Sequence, residues 1–237
     1  MSYFRSDNGI KSIFGEKAFR KLVGILDPCC GGIDEVDGNP NKFLNQQGEW
    51  VEAGGGDSGY IYEIGQYVAA EGGVIAHRWL STSSLGSPTF GTIQNYLVVD
   101  TADLSTSASW ATSNVNISNV ESTWDGATNT ANLIAAGAGG GITAGTAAVL
   151  CNNSINNGQS DWYLPALDEL SKIWENRWNI AQGITNASGT QLAFVTYWSS
   201  LESSTSSSYL FSFFNGNPST NFKSLTTYVR AVRKFSI

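Results

Sequence analysis

The stretch DWYLPALDELSKIWENRWN, residues 161–179, carries the clearest helix signal in the 237-residue chain. Pro165 suits the first turn of a helix, and Asp168 and Glu169 complement the positive end of the helix dipole. The large apolar side chains that recur at three- and four-residue spacing are Leu167, Leu170, Trp174 and Trp178. Because residues at this spacing share one side of a helix, the stretch predicts a helix that packs on the core through that side.

Upstream of this helix, the sequence predicts two strands and a pair of short helices. Residues 73–79 and 95–99 are strand-like. Residues 127–149 are rich in Ala, Gly and Thr, but large aliphatic side chains are spread through the segment. We therefore predict two short Ala-rich helices joined by glycines, with disorder as the alternative.

Downstream, a strand pattern follows a polar segment. Residues 228–235 alternate with the two-residue period of a strand, which predicts one terminal strand. Asn, Ser and Thr occupy most positions from 217 to 227. Because their side chains favour turns over a strand ladder, we expect a solvent-exposed loop there.

The amino-terminal part of the chain is organised differently. Residues 12–26 repeat apolar side chains four apart and predict one short helix. Residues 42–56 contain two short apolar stretches around a Gln-Gly pair, which predicts a hairpin before a glycine-rich hinge. We place a domain boundary at that hinge, between a module of residues 1–59 and a domain of residues 60–237.

The composition excludes two classes of partner. The net charge is −7, and no basic residue lies between Arg78 and Lys172, so the middle of the chain cannot form a cationic groove for nucleic acid. No apolar run reaches the length of about 18 residues that a membrane-spanning helix needs, and the start lacks the pattern of a secretory signal. We therefore expect no nucleic-acid partner, no membrane insertion and synthesis in a cytoplasm.

Several phrases, in order along the chain, resemble one known family. They are YEIGQYV and EGGVI within residues 62–75, WDGATNTANLIAAG at 124–137, NNGQSDWYLPALDEL at 156–170, YWSSLE at 197–202, then Gly216, Lys223 and YVRAVR at 228–233. The chain is similar to the Lcl-type C-terminal domain family. This C-type-lectin-like module is found in bacterial surface proteins, phage structural proteins and variable proteins of diversity-generating retroelements.

The resemblance implies an α+β fold over residues 60–237. The expected C-type-lectin-like domain has small antiparallel sheets, two or more helices and long irregular loops, and it follows a small N-terminal helix and hairpin module. The terminal strand is expected to pair near the start of the domain. Ala166 departs from the family, which often has a helix-capping serine there, and the missing cap costs about 1 kcal/mol unless another group replaces it.

The resemblance also implies a ligand-binding surface near the carboxyl end. In diversified relatives, the exposed positions from YWSS to YVRAVR form this surface. Strand alternation turns Tyr209, Phe211 and Phe213 inward and the residues between them outward. The candidate ligand-binding residues are Leu210, Ser212, Phe214, Asn215, Asn217, Ser219, Thr220, Asn221, Phe222, Ser224 and Thr226.

The aromatic residues invite a hypothesis of sugar stacking. We expect most tryptophans in the core, including Trp124, Trp162 and Trp198 of the family phrases. Phe214 and Phe222, predicted to point outward among polar residues, are better anchors for a partner. The alternative is that both phenylalanines pack on a neighbouring loop or on another copy of the chain.

No catalytic, metal or cofactor site is predicted. His77 is the only histidine, so a Ser-His-Asp triad or a histidine-rich metal site cannot be assembled conventionally. We expect Cys29, Cys30 and Cys151 to be free thiols, with Cys151 buried and inert. The Glu-Pro-Asn, Gln-Pro-Asp and Trp-Asn-Asp triplets of calcium-dependent lectins do not occur, although scattered oxygen atoms could still bind calcium.

These expectations converge on a non-enzymatic phage virion protein, such as a tail fibre, tail tip or head fibre. Residues 1–59 would attach it to other virion proteins, since FLNQQGEWV, residues 43–51, resembles segments of phage tail and fibre proteins. The larger domain would bind a host-surface glycan or protein, and analogy favours a homotrimer. The alternatives are a purely structural virion decoration or fibre-joining protein, and a bacterial surface adhesin.

Active diversification of the surface is a further hypothesis. Residues 203–208 and 215–227, apart from Gly216 and Lys223, are all types that adenine mutagenesis of Asn codons can yield. Chance would often give the same result, because the excluded residue types are uncommon in these segments.

Overall fold

The computed structural model describes residues 60–237 and, before them, the backbone of two strands. These are β1 (Lys42–Leu44) and β2 (Trp50–Glu52), which pair antiparallel. The predicted hairpin is therefore confirmed. The predicted helix over residues 12–26, like Cys29 and Cys30, lies outside the described residues.

The chain divides into two compact units, Met1–Gly59 and Tyr60–Ile237. The second unit contains nine strands and four α-helices. In chain order they are β3 (Tyr67–Val68), β4 (Gly73–Ser81), β5 (Ile93–Asp100), β6 (Ser105–Ser109), α1 (Gly126–Ala136), α2 (Ala147–Asn152), α3 (Leu167–Glu175), α4 (Arg177–Asn186), β7 (Thr196–Glu202), β8 (Ser207–Ser212), β9 (Pro218–Phe222), β10 (Thr226–Val229) and β11 (Val232–Ser236).

A four-stranded sheet brings the two ends of the second unit together. Its strand order is β11-β5-β4-β3, and all neighbours are antiparallel. Strand β11 lies along β5 with Arg233 opposite Val98. The terminal strand thus joins the sheet that holds the first strands of this unit, as the resemblance implies.

The other large sheet has the strand order β6-β10-β7-β8-β9. Its neighbours are antiparallel except β10 and β7, which are parallel where Tyr228 faces Tyr197. Two hydrophobic clusters cover its central strands. Trp198 and Leu210 belong to one cluster, whereas Tyr197 and Phe211 belong to the other. Because successive side chains enter different clusters, both faces of β7 are buried, and both faces of β8 contribute buried side chains.

The α+β class and the main upstream elements are confirmed. Strands β4 and β5 contain the two predicted strand segments, residues 73–79 and 95–99. The Ala-rich segment forms α1 and α2, with a short 3₁₀ helix at Gly137–Gly140 between them. Disorder of this segment, the alternative, is therefore wrong. Buried Leu133, Ala147 and Ala148 give these helices the apolar contacts that a disordered segment lacks.

The predicted helix over residues 161–179 is two helices that meet at Asn176. The Asn176 side chain donates to the carbonyl oxygens of Ala76 (3.0 Å) and Lys172 (3.1 Å), which fixes the break. The break changes the rotation of the following residues. Trp178, predicted to be in the core, is consequently 66% exposed.

The start of α3 replaces the serine cap that Ala166 lacks. The Glu169 carboxylate accepts a hydrogen bond from the Ala166 N–H at 2.8 Å, which is one half of a capping box. The same carboxylate accepts from the Tyr163 hydroxyl at 2.7 Å. Helix α3 begins at Leu167 and has Asp168 and Glu169 in its first turn, as predicted, whereas Pro165 lies just before the capping residue Ala166 and not in the first turn.

The predicted single terminal strand over residues 228–235 is two strands in different sheets. Arg230 lies between β10 and β11 and is only 2% exposed. Its guanidinium donates to Asp103 Oδ1 (2.7 Å) and to the carbonyl oxygens of Asp100 (2.9 Å) and Thr190 (2.8 Å). The alternating pattern continues across this junction, so the pattern alone could not reveal the change of sheet.

Among the helices of the described residues, none combines the length and apolar character needed to cross a bilayer.

Candidate functional site

Strand β9 forms one edge of the five-stranded sheet. All of its residues, Pro218–Phe222, are exposed. It pairs with β8 over its whole length, with Thr220 opposite Tyr209. The exposure predicted for residues 217–227 is confirmed except at Lys223 and Thr227, which are buried, and residues 218–222 form a strand instead of the predicted loop. The reason is that β8 satisfies the backbone hydrogen bonds of β9, which local turn preferences do not anticipate.

Most of the candidate ligand-binding residues lie on one continuous stretch that follows β8. We call these exposed residues the C-terminal surface: Phe214, Asn215, Asn217, Ser219, Thr220, Asn221, Phe222, Ser224 and Thr226. Asn and Ser side chains dominate it, so it offers many hydrogen-bond donors and acceptors. Whether these residues bind a ligand stays a prediction.

The remaining two candidates, Leu210 and Ser212, lie in β8. Leu210 is 2% exposed and packs in a hydrophobic cluster, so the prediction that it points outward to solvent is wrong. Alternation correctly separates Leu210 from Phe211, but both side chains enter hydrophobic clusters. Tyr209, predicted to point inward, is half-buried. Ser212 is half-buried at the end of the strand.

Two large aromatic side chains project from the C-terminal surface. Phe214 is 79% exposed and Phe222 is 65% exposed. No loop of residues 60–237 buries either ring. An exposed aromatic ring among polar side chains is typical of an anchor for a partner molecule.

A buried ion pair supports the surface from below. Lys223 directly follows β9, is fully buried and forms a salt bridge with Glu202, which is 5% exposed in its side chain. The Lys223 ammonium also donates to Val115 O at 2.7 Å and lies 4.8 Å from the centre of the Trp110 ring. Glu202 in turn accepts from the Ile117 N–H. The end of β9 is therefore fixed to the core.

Gly216 fixes the turn between β8 and β9. It has a φ of +74°, in the left-handed region that favours glycine. A Cβ atom here would come within 2.6 Å of the Trp174 ring. Gly216 and Lys223, the two positions of this segment that match the family pattern, are thus both held by packing.

Comparison with known proteins identifies the family of the chain. A family model described as the Lcl C-terminal domain matches residues 100–233. The chain belongs to the Lcl C-terminal domain family. The match spans the whole C-terminal surface of this Lcl C-terminal domain, together with the ion pair beneath it. No curated protein matches the chain.

The tryptophans of this Lcl C-terminal domain divide between core and surface. Trp162 and Trp198 are buried as predicted, whereas Trp124 is 51% exposed, so its predicted place in the core is wrong. Trp124 immediately precedes Asp125, the residue that caps α1. Its position before the helix, rather than within it, leaves the indole outside the packed layer.

The reactive side chains are dispersed. Cys151 is buried as predicted, and burial raises the pKa of its thiol well above the usual range. Within residues 60–237, no three His, Cys, Asp or Glu side chains cluster in a way that could hold a metal ion. His77 stacks on Trp79 with ring centres 5.9 Å apart. Burial, and then the positive charge of Lys172, lowers the pKa of His77 to about 4.

The lowered pKa of His77 predicts acid sensitivity that depends on this residue. His77 takes up its proton near pH 6.5 in the unfolded chain but only near pH 4 in the folded protein. The contribution of His77 to the free energy of unfolding is therefore fully present above pH 6.5 and is lost as the pH falls from 6.5 toward 4. Because the side chain is partly exposed, we expect wild type to lose about 1 kcal/mol more unfolding free energy between pH 7 and pH 5 than His77→Gln. Urea denaturation at both pH values measures the difference, and parallel losses would contradict it.

Proposed function

We propose that this protein is a non-enzymatic component of a phage virion whose C-terminal surface binds a molecule of the host surface, a glycan or a protein. The observation that carries the proposal is the C-terminal surface itself, which is polar, exposed and anchored in a buried framework. The family supports this reading in general terms, because its members include phage structural proteins and variable proteins.

The chemistry of the surface suits recognition rather than catalysis. Asn, Ser and Thr side chains supply hydrogen bonds in many geometries, and Phe214 and Phe222 supply apolar contact area. The rigid support below lets surface residues vary without disturbing the fold, which is compatible with diversification by a retroelement. Residues 1–59 attach the protein to other virion proteins in this proposal, and the assembled form is a homotrimer.

The double substitution Phe214→Ser and Phe222→Ser tests the role of the surface. We expect particles that assemble normally but adsorb to host cells about tenfold less, because a lost aromatic anchor costs more than 1 kcal/mol of binding free energy. Adsorption rates of purified particles at equal protein content measure the effect.

The control is Phe90→Ser, which replaces a fully exposed phenylalanine in the segment between β4 and β5, outside the C-terminal surface. It should leave adsorption unchanged. Normal adsorption of the double variant would contradict receptor binding by this surface. Defective assembly with the same variant would instead favour a purely structural role, in which Phe214 and Phe222 contact another virion protein.

A further inference from the structure

A cavity of about 340 Å³ lies among the four-stranded sheet, helix α3 and the loop that joins β4 to β5. Trp79, Leu97 and Trp124 contribute apolar walls, and His77 and Asp168 contribute polar atoms. Small-molecule sites typically have volumes of about 300–1,000 Å³, so the cavity suits a ligand of one ring. It shares no residue with the C-terminal surface.

The outer wall of this cavity is held in place by hydrogen bonds. Leu85 has a φ of +53°, an uncommon conformation for a residue with a side chain. Its N–H donates to Asn95 Oδ1 at 2.7 Å and to Ser236 Oγ at 2.9 Å. The Trp79 indole N–H donates to Gly86 O at 2.8 Å. These contacts keep the cavity open without a ligand, which reduces the ordering cost of binding.

The partly exposed indole of Trp124 lines the cavity. It is 51% exposed, whereas Trp110, Trp162 and Trp198 are all nearly completely buried. An indole in this setting offers a flat apolar face beside polar groups. The apolar faces of sugar rings are complementary to such a surface.

Two polar groups of the cavity have hydrogen-bonding capacity left. Asp168 Oδ2 accepts from the Thr123 hydroxyl at 3.0 Å, but no group of residues 60–237 donates to its Oδ1. The ring nitrogens of His77 have no hydrogen-bond partner in the same part of the chain. A neutral imidazole presents one donor and one acceptor, and a carboxylate oxygen accepts. Together they match the hydroxyl groups of a sugar.

The charges around the cavity favour an uncharged ligand. Lys234 lies 3.2 Å from Asp125 and 3.6 Å from Glu169. Lys172 forms a salt bridge of 2.8 Å with Glu175. Because each ammonium group already has a carboxylate partner, an anionic ligand would gain little from them and would approach Asp168.

We propose that this cavity binds one neutral pyranose ring, which lies on Trp124 and forms hydrogen bonds with His77 and Asp168. This site is separate from the C-terminal surface and does not depend on the function proposed for it. A protein with both sites would contact its target at two places.

The test uses the full chain and the methyl glycosides of glucose, galactose, mannose and N-acetylglucosamine. Saturation-transfer NMR identifies the glycoside that binds, and calorimetry gives its Kd. We expect Trp124→Ala to raise that Kd about tenfold, which corresponds to about 1.4 kcal/mol of lost stacking. Trp124→Phe should retain part of the affinity, and Trp178→Ala, a change at another exposed tryptophan that lies outside the cavity, should change the Kd less than twofold.

Three results would overturn the proposal. The first is that none of the four glycosides binds. The second is an equal loss of affinity in Trp124→Ala and Trp178→Ala. The third is that indole, used as an aromatic probe, binds at Trp124 and none of the glycosides displaces it. The Phe214→Ser and Phe222→Ser variant should bind the glycoside normally, so failure of the proposed C-terminal surface is distinguished from failure of this site.

Discussion

Replacing Lys223 with methionine is expected to lower the free energy of unfolding by about 3–5 kcal/mol, because the change leaves a buried carboxylate without its cation. Lys223 is fully buried, and its only salt-bridge partner among residues 60–237 is Glu202. Methionine fills a similar volume, so the loss reports the charge rather than a cavity. Urea denaturation of the full chain at neutral pH measures it.

Two further variants separate the ion pair from other effects. Lys172→Met removes a salt bridge whose side chains are 41% and 47% exposed, and we expect it to cost less than about 1 kcal/mol. The double variant Lys223→Met and Glu202→Leu should recover part of the loss, since no charge stays buried. Recovery is incomplete because the Ile117 N–H then lacks its acceptor. A small loss in Lys223→Met alone would show that the pair does not support the C-terminal surface.

Replacing Arg230 with methionine is expected to lower the free energy of unfolding by about 3–5 kcal/mol as well, because Asp103 and the carbonyl oxygens of Asp100 and Thr190 lose a buried donor. Arg230 joins the two large sheets at the junction of β10 and β11, so the loss should also loosen that junction. Arg230→Lys should not restore stability, since one ammonium group cannot reach the acceptors on Asp103, Asp100 and Thr190 together.

The pH dependence of Arg230→Met provides an independent check. Burial raises the pKa of Asp103, and the positive charge of Arg230 opposes that rise. Without Arg230 the pKa rises further, so Asp103 becomes neutral at a higher pH in the folded variant. The stability deficit should therefore be largest near pH 7 and shrink as the pH falls toward 5. A deficit that is constant over this range would exclude Asp103 as its cause.

The local elements were largely predictable because their signals are local. Pro165 and the acidic residues after it mark the start of α3, and apolar segments mark β4 and β5. The prediction of the Ala-rich helices also required the assumption that the aliphatic side chains spread through residues 127–149 pack in the core. Each of these predictions rests on propensity and periodicity, which act over a few neighbouring residues.

The errors arose where distant parts of the chain meet. Leu210 follows the alternation of β8 correctly, yet it is buried because the second face of the sheet is also covered. Trp178 leaves the core because the Asn176 side chain binds the carbonyl of Ala76, far away in sequence. Trp124 is exposed although its phrase belongs to the family pattern.

The sequence by itself determined the α+β class, the family and the polar character of the segment after β8. Those properties follow from residue types and their order. Only the tertiary structure decided which side chains of that segment are exposed and that Trp124 borders a cavity. It also decided that Lys223 forms a buried ion pair with Glu202, and Arg230 one with Asp103. The physical reason is that burial depends on what the rest of the chain places on each face, which neighbouring residues do not encode.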